Sequence, residues 1–254
     1  MTDEVTVCTN TGLALLPAGG QTVYRLAKPS YGVLNPPTRG VSSSEDRAGW
    51  NRFDLPGEQT IYCASSAEGA YGELLGALKV SGPYRAQEYL DDPGEDDLYA
   101  LIARDFNDLG VRPPGVVDIH WLYAHRLYTV ALPPAGWFVE IEHARTITYL
   151  ASHIPLPLWE RGIDEITVAQ TRSGDRHLTT ELAGALATAP LVGGARALGV
   201  HYFSKHGTQW SCWAVWLRDD VADALAAGPG QPVAPPADNA ALAAVLDTYN
   251  LTAG

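Results

Sequence analysis

Six side chains in this sequence are chemically suggestive, and their order along the chain matters more than any one of them. Arg52 lies in Asn51-Arg52-Phe53-Asp54 and Tyr62 in Ile61-Tyr62-Cys63-Ala64-Ser65. Glu73 lies in Tyr71-Gly72-Glu73-Leu74, eleven residues after the tyrosine. Arg25 stands upstream in Val23-Tyr24-Arg25-Leu26, Tyr31 follows it, and Ser204 ends Gly199-Val200-His201-Tyr202-Phe203-Ser204. A guanidinium is planar, stays charged and pairs with two oxygens at once, which suits phosphate groups. A tyrosine offers a flat face for a ring and a hydroxyl for a polar group. A carboxylate stabilises positive charge developing on a sugar carbon. Taken singly, each residue has a plainer reading. An isolated strand arginine is most often a surface or ion-pairing residue, and a helix glutamate is most often solvated. Tyr62 alone reads as a core aromatic, and Ser204 alone as a strand-end serine bonding backbone.

Other chemistries leave no signature. The chain has no G-x-G-x-x-G, no Walker A sequence, no G-x-S-x-G and no H-E-x-x-H. His120/His125 and His201/His206 are each five apart, the wrong spacing for one helix face, so no metal site is expected. Cys8, Cys63 and Cys212 are odd in number, far apart and without a C-x-x-C pair. They read as buried apolar thiols rather than a disulfide framework or zinc site.

The bulk numbers bound the rest. A chain of 254 residues with 46% hydrophobic and 18% charged residues can bury a substantial core. Its net charge of −12 opposes non-specific binding to nucleic acid or anionic membrane, so an anionic ligand needs local arginines. The Met-Thr-Asp-Glu start lacks the basic and apolar regions of a signal peptide, and no apolar run approaches the ~20 residues of a membrane span. The expectation is a cytoplasmic protein with no nucleic-acid or membrane partner.

The elements that must position these residues follow from local pattern. Thr22–Ala27 and Thr60–Ala64 read as strands, separated by a long irregular region, 28–57, that carries four prolines together with Arg39, Arg47, Trp50 and Arg52. Ser65 is expected to cap a helix, with Glu68 at capping-box spacing and a core stripe of Ala67, Ala70, Tyr71, Leu74 and Leu78. Gly69, Gly72 and Gly76 fall on the opposite face, where close approach of another backbone would explain them. Helices are expected over 97–107, 143–152 and 178–187, and strands over 126–132, 137–142, 166–170, 200–203 and 213–217. Trp210, Trp213 and Trp216 read as core packing. A Pro/Gly linker, 228–236, then leads to a last helix over 239–249. The fold class is α+β. The expected division is an N-terminal segment 1–21, a domain 22–227, and a linker with a C-terminal helix, 228–254.

The arginine, tyrosine, glutamate and serine segments, in this order, resemble the RES-domain family, named for its Arg, Glu and Ser. The resemblance runs from about Thr22 to Leu217, with few motif residues between Tyr89 and Asp175. It departs from the family at Trp50, where glycines are usual, in the long 31–50 loop and in the C-terminal extension. It implies a single domain resembling the ADP-ribosyltransferase-like fold, a small split sheet with flanking helices. It further implies cleavage of the nicotinamide–ribose bond of NAD⁺, by water or phosphate, as the toxin of a toxin–antitoxin pair. NAD⁺ is then a substrate, and no cofactor or metal is required. On this resemblance Glu73, Arg52 and Ser204 form the catalytic set, while Arg25, Tyr62 and Tyr31 hold NAD⁺. Ser204 donates a hydrogen bond rather than acting as nucleophile, since no base adjoins it. The expected partners are NAD⁺ and a protein antitoxin, with room left for a homo-oligomer. Two rival readings stay open. One is an ADP-ribosyltransferase, disfavoured for arginine modification because Tyr71 occupies the position where a second acid is common. The other is a non-catalytic binding module of the same fold.

Overall fold

The computed structural model describes residues 4–42, 46–79, 91 and 98–254. The strands begin with β1 (Thr6–Val7), β2 (Ala14–Pro17), β3 (Thr22–Ala27), β4 (Thr60–Ala64), β5 (Val116–Val117) and β6 (Arg126–Ala131). β7 (Trp137–Glu140), β8 (Gly199–Ser204), β9 (Gly207–Trp216), β10 (Ala226–Ala227), β11 (Gln231–Pro232) and β12 (Thr252–Ala253) follow. Among the described residues ten strands form one sheet in the order β1-β2-β7-β8-β9-β4-β3-β6-β10, with β11 also on β6. β12 and β5 pair separately. The helices are α1 (Ala67–Leu75), α2 (Leu98–Asp108), α3 (Ile119–Tyr123), α4 (Ala144–Ser152) and α5 (Leu156–Trp159). α6 (Val168–Thr171), α7 (Arg176–Thr188), α8 (Asp219–Ala222) and α9 (Ala240–Thr248) complete the set. None of these helices is long and apolar enough to cross a membrane.

The sheet is mixed. β7 and β8 run parallel, as their long helical crossover through α4–α7 requires, and every other neighbouring pair in the sheet is antiparallel. The small split sheet expected from sequence is therefore replaced by a large continuous one. Its weakest seam is between β3 and β4, which register at one residue pair, Tyr24 with Ala64. One face of the sheet packs on α4, α5 and α7 through Leu150, Leu158, Leu178, Leu182 and Leu186. The other buries Val23, Ile61, Phe138, Trp213 and Val215 with Val221 and Leu225 near α8. A third cluster joins α1, α3 and α9 through Tyr71, Leu75, Leu122, Trp210, Leu242 and Val245.

Several local expectations shift. Ser66, not Ser65, caps α1, its hydroxyl accepting from the Gly69 N–H at 3.0 Å. Ser65 still belongs to the sheet, donating its N–H to Ser211 O, and Glu68 accepts from the Trp210 indole instead of closing a capping box. The α1 stripe is also displaced: Leu78 is exposed past the helix end, whereas Gly69 and Gly72 are buried beside Ala70, Tyr71 and Leu75. Side chains rather than backbone fill the glycine face, because a Cβ on Gly72 would overlap the Trp210 ring and one on Gly76 the His206 ring. The expected strand at 166–170 is instead α6, capped by a Thr167–Gln170 capping box. The 97–107 helix is found as Leu98–Asp108, and Asp97 lies outside the described residues. The strands on either side of the Pro133–Gly136 turn do not pair with each other: β6 joins β3, and β7 joins β2 and β8.

Both segments expected outside the domain are built into it. Leu13, Ala14 and Leu15 are buried, and β2 pairs with β7. At the other end, the Tyr249 hydroxyl donates to Gly72 O at 3.2 Å, and Asn239 donates to the Tyr71 hydroxyl at 2.8 Å. All three cysteines are free and buried.

Candidate active site

A cavity of about 370 Å³ opens at the β3–β4 seam, beneath α1 and beside the β8–β9 turn. Among the described residues its walls carry Arg25, Arg52, Arg176 and Lys205 against a single carboxylate, Glu73. The charge balance there is opposite to that of the chain, whose net charge is −12. The volume falls within the ~300–1,000 Å³ typical of small-molecule sites.

Glu73 projects from the middle of α1 with its side chain 28% exposed. Ser204, fully buried at the end of β8, donates its hydroxyl to Glu73 Oε1 and accepts the His206 N–H at 3.1 Å. The Tyr202 hydroxyl, one step down the same strand face, lies 3.4 Å from Glu73 Oε2. Burial raises that hydroxyl's pKa well above the ordinary value, with Glu73 adding to the effect, so it stays a donor. The carboxylate is thus held by hydroxyls at both oxygens while its exposed edge faces the cavity.

Arg52 is buried, with Nη2 3.8 Å from Glu73 Oε2. Its guanidinium lies over the Tyr202 ring at 4.6 Å and the Phe53 ring at 5.2 Å, which fixes its plane. Its Nη1 has no hydrogen-bond partner among the described residues. The preceding loop is braced in turn. Asp54 accepts from Arg39 Nε at 2.6 Å, from the Asn51 N–H at 2.8 Å and from the Tyr62 hydroxyl at 2.9 Å. Trp50 is buried beneath Arg47 and Arg39, and Arg47 pairs with Glu181 of α7 at 2.9 Å.

The structure brings Arg52, Glu73 and Ser204 together, with Ser204 acting on the carboxylate rather than facing the cavity. Tyr62 lines the cavity, but its hydroxyl is taken: it donates to Asp54 and accepts the Phe53 N–H at 2.9 Å. Burial pushes its pKa well up, with Asp54 acting in the same direction. Arg25 also reaches the cavity wall, yet its Nε binds Val33 O at 3.0 Å and its Nη1 binds Tyr62 O at 3.1 Å. It serves mainly to tie the open seam to the following loop. Tyr31 is 57% exposed and lies outside the cavity lining. The position two before Glu73 holds Tyr71, fully buried.

Sequence reasoning missed three lining groups. Arg176 begins α7, with Nε on Trp50 O at 2.9 Å and Nη1 on Ser173 O at 3.3 Å. Lys205 and His206 follow Ser204 directly, and that adjacency was the one signal available. Burial lowers the pKa of the Lys205 ammonium, helped by Arg52 and Arg176. Cys63 offers no thiolate nucleophile, since burial raises its pKa to about 12.

A second polar chain lies on the opposite sheet face: His201 Nδ1 meets Glu140, and Nε2 meets Ser211. Its connectivity is that of a nucleophile triad, but neither described cavity includes these three residues. They bridge β7, β8 and β9 and act as a polar clamp across the parallel-to-antiparallel junction. Among the described residues no cluster of metal-ligating side chains occurs. Comparison with models of known protein families gives no match, and comparison with curated protein sequences gives none either.

Proposed function

We propose that this protein cleaves the bond between nicotinamide and ribose in NAD⁺, as the RES-like order of Arg52, Tyr62, Glu73 and Ser204 implies. The observation that carries the reading is the cavity itself. It sets one hydroxyl-braced carboxylate among Arg25, Arg52, Arg176 and Lys205 in an otherwise acidic protein. A dinucleotide needs both features: cations for its pyrophosphate, and an anion beside the ribose carbon that becomes positive as nicotinamide leaves. The C1′–N bond breaks with its electron pair leaving on nicotinamide, which becomes neutral. Glu73, ionised and fixed by Ser204 and Tyr202, stabilises the ribosyl cation. Arg52 sits over the Tyr202 ring, and its Nη1, without a partner among the described residues, would be satisfied by a ligand oxygen. Because Arg25 and Arg176 each spend two donors on carbonyls, the pyrophosphate falls first to Arg52 and Lys205, with Arg176 adding positive charge at the wall.

The etheno analogue of NAD⁺, whose fluorescence rises when nicotinamide departs, tests the reading. Wild type should give a steady rise that is nearly absent in Glu73→Gln, and a flat trace from folded wild-type protein would overturn it. A cytoplasmic enzyme of this kind must be restrained, so the reading includes a protein antitoxin that covers the cavity and competes with NAD⁺. Expression of the chain alone in a foreign bacterium should lower cellular NAD⁺ and arrest growth, whereas Glu73→Gln should be tolerated.

A further inference from the structure

We infer that His206 is the general base that activates the water attacking the ribosyl centre, making the reaction a hydrolysis. The inference rests on the NAD⁺-cleaving reading above and adds to it the acceptor and the group that prepares it. The imidazole lines the same cavity as Glu73, and its residue is tied to Glu73 through one atom: the Ser204 oxygen that donates to Glu73 also accepts the backbone N–H of His206. Carboxylate and imidazole are therefore placed by one strand end.

The ring's seat is specifically built. Gly76 closes α1 with ordinary right-handed dihedrals, φ −59° and ψ −26°, so its backbone does not need glycine. What needs glycine is the ring, because a Cβ there would overlap the imidazole. On another side the Tyr249 ring packs edge-on, with centroids 6.3 Å apart. Neither imidazole nitrogen has a hydrogen-bond partner among the described residues, so the ring is positioned by packing while its nitrogens stay free to act.

Lys205 is the cation assigned to the pyrophosphate, and the remaining lining groups are unsuited to take a proton. Glu73 is engaged by two hydroxyls and must stay anionic beside the cation. Tyr62 and Tyr202 have raised pKa values and remain neutral hydroxyls, and Cys63 remains a thiol. The guanidinium groups stay protonated. Burial lowers the His206 pKa, and Lys205, Lys79 and Arg52 push it further down against the opposing pull of Glu73. The ring is thus neutral at pH 7 and able to accept. As the C1′–N bond breaks and nicotinamide takes its electron pair, water oxygen bonds to C1′ and gives one proton to the free imidazole nitrogen. That proton then passes to solvent. The balance is NAD⁺ plus water giving nicotinamide, ADP-ribose and one proton, with no change of oxidation state.

The test compares His206→Ala and His206→Gln with wild type at equal folded fraction, checked by thermal melting. General-base loss should lower kcat for ADP-ribose formation on the order of 10²-fold, with KM held within about 2-fold. The acid limb of the pH profile belonging to the imidazole should vanish. Added imidazole should restore part of the rate to His206→Ala, because the space beside Gly76 admits it, but not to His206→Gln. Inorganic phosphate carries an unprotonated oxygen and needs no base, so any phosphorolysis it supports should survive in both variants. Wild-type kcat and an unchanged pH profile in both variants would overturn the inference and leave NAD⁺ cleavage standing. Loss of rate accompanied by a raised KM, with no rescue by imidazole, would also overturn it, by making His206 a packing residue. If the wild-type protein releases no nicotinamide at all, the underlying reading fails and the inference with it.

Discussion

Replacing Tyr62 with Phe separates a structural hydroxyl from a ligand-binding one. The hydroxyl donates to the Asp54 carboxylate at 2.9 Å and accepts the Phe53 N–H at 2.9 Å, both under the loop that carries Arg52. A hydrogen bond to a charged group contributes about 1.5–3 kcal/mol, and a buried N–H left without an acceptor costs about 1–3 kcal/mol. The two losses share one oxygen and are not additive. Asp54 also keeps Arg39 and the Asn51 N–H, so the lower part of the combined range applies, about 2–3 kcal/mol. For a domain approaching this size each kcal/mol moves Tm by about 2–4 °C, giving a fall of about 4–12 °C. Calorimetry reads the shift, and steady-state kinetics with the etheno analogue reads the site. The structural account expects the drop in Tm together with a raised KM as Arg52 loosens, so the Tm decides between the two. An unchanged Tm with a KM raised about tenfold or more, the ~1.4 kcal/mol of a lost ligand contact, would refute it and return the hydroxyl to the substrate.

Further tests address the charges. Glu73→Gln keeps the shape of the side chain but removes its charge, and should lower kcat on the order of 10²-fold while leaving the protein folded. Circular dichroism and turnover check it together, and undiminished turnover sinks the role of the carboxylate. Lys205→Gln and Arg52→Lys should each raise KM for NAD⁺ by about tenfold and leave nicotinamide riboside, which has no pyrophosphate, nearly unaffected. Equal losses on both substrates would make these cations structural. Acid should also weaken the fold before the carboxylates titrate. Burial depresses the pKa values of His125 and His206 in the folded state, so below about pH 6.5 the unfolded chain binds more protons. Their contribution is present above that pH and is lost as pH falls through the folded values. Tm should decline over that window, and His125→Gln with His206→Gln should flatten the decline.

Much of the framework was legible because it is local. Short runs of β-branched and aromatic residues mark β3 and β4, and Asn239 and Asp175 sit at helix starts where their side chains cap α9 and α7. Short elements escaped, since four residues of β2 carry too little pattern to show that they extend the sheet beyond β7. In α6 the β-branched run Ile166-Thr167-Val168 suggests a strand, yet Thr167 and Gln170 close a capping box that decides for helix. Arg52, Tyr62 and Glu73 line one cavity, with Ser204 bonded to Glu73 behind it, because those residues come from adjoining elements. What sequence could not show was how donors are spent. Arg25, Arg52 and Arg176 look alike as letters, and only tertiary contact reveals that Arg25 and Arg176 each bind two carbonyls while Arg52 keeps a nitrogen without a partner among the described residues. Tyr62 was likewise assigned a ligand because its partner, Asp54, is brought to it by a turn that no pattern announces.

The central claim is tested most directly by following purified protein and NAD⁺ together by proton NMR, in phosphate-free buffer and again with phosphate. The account predicts free nicotinamide and ADP-ribose appearing in equal amounts without phosphate, at a rate that collapses in Glu73→Gln. Folded wild-type protein that leaves the NAD⁺ spectrum unchanged in both buffers would contradict it.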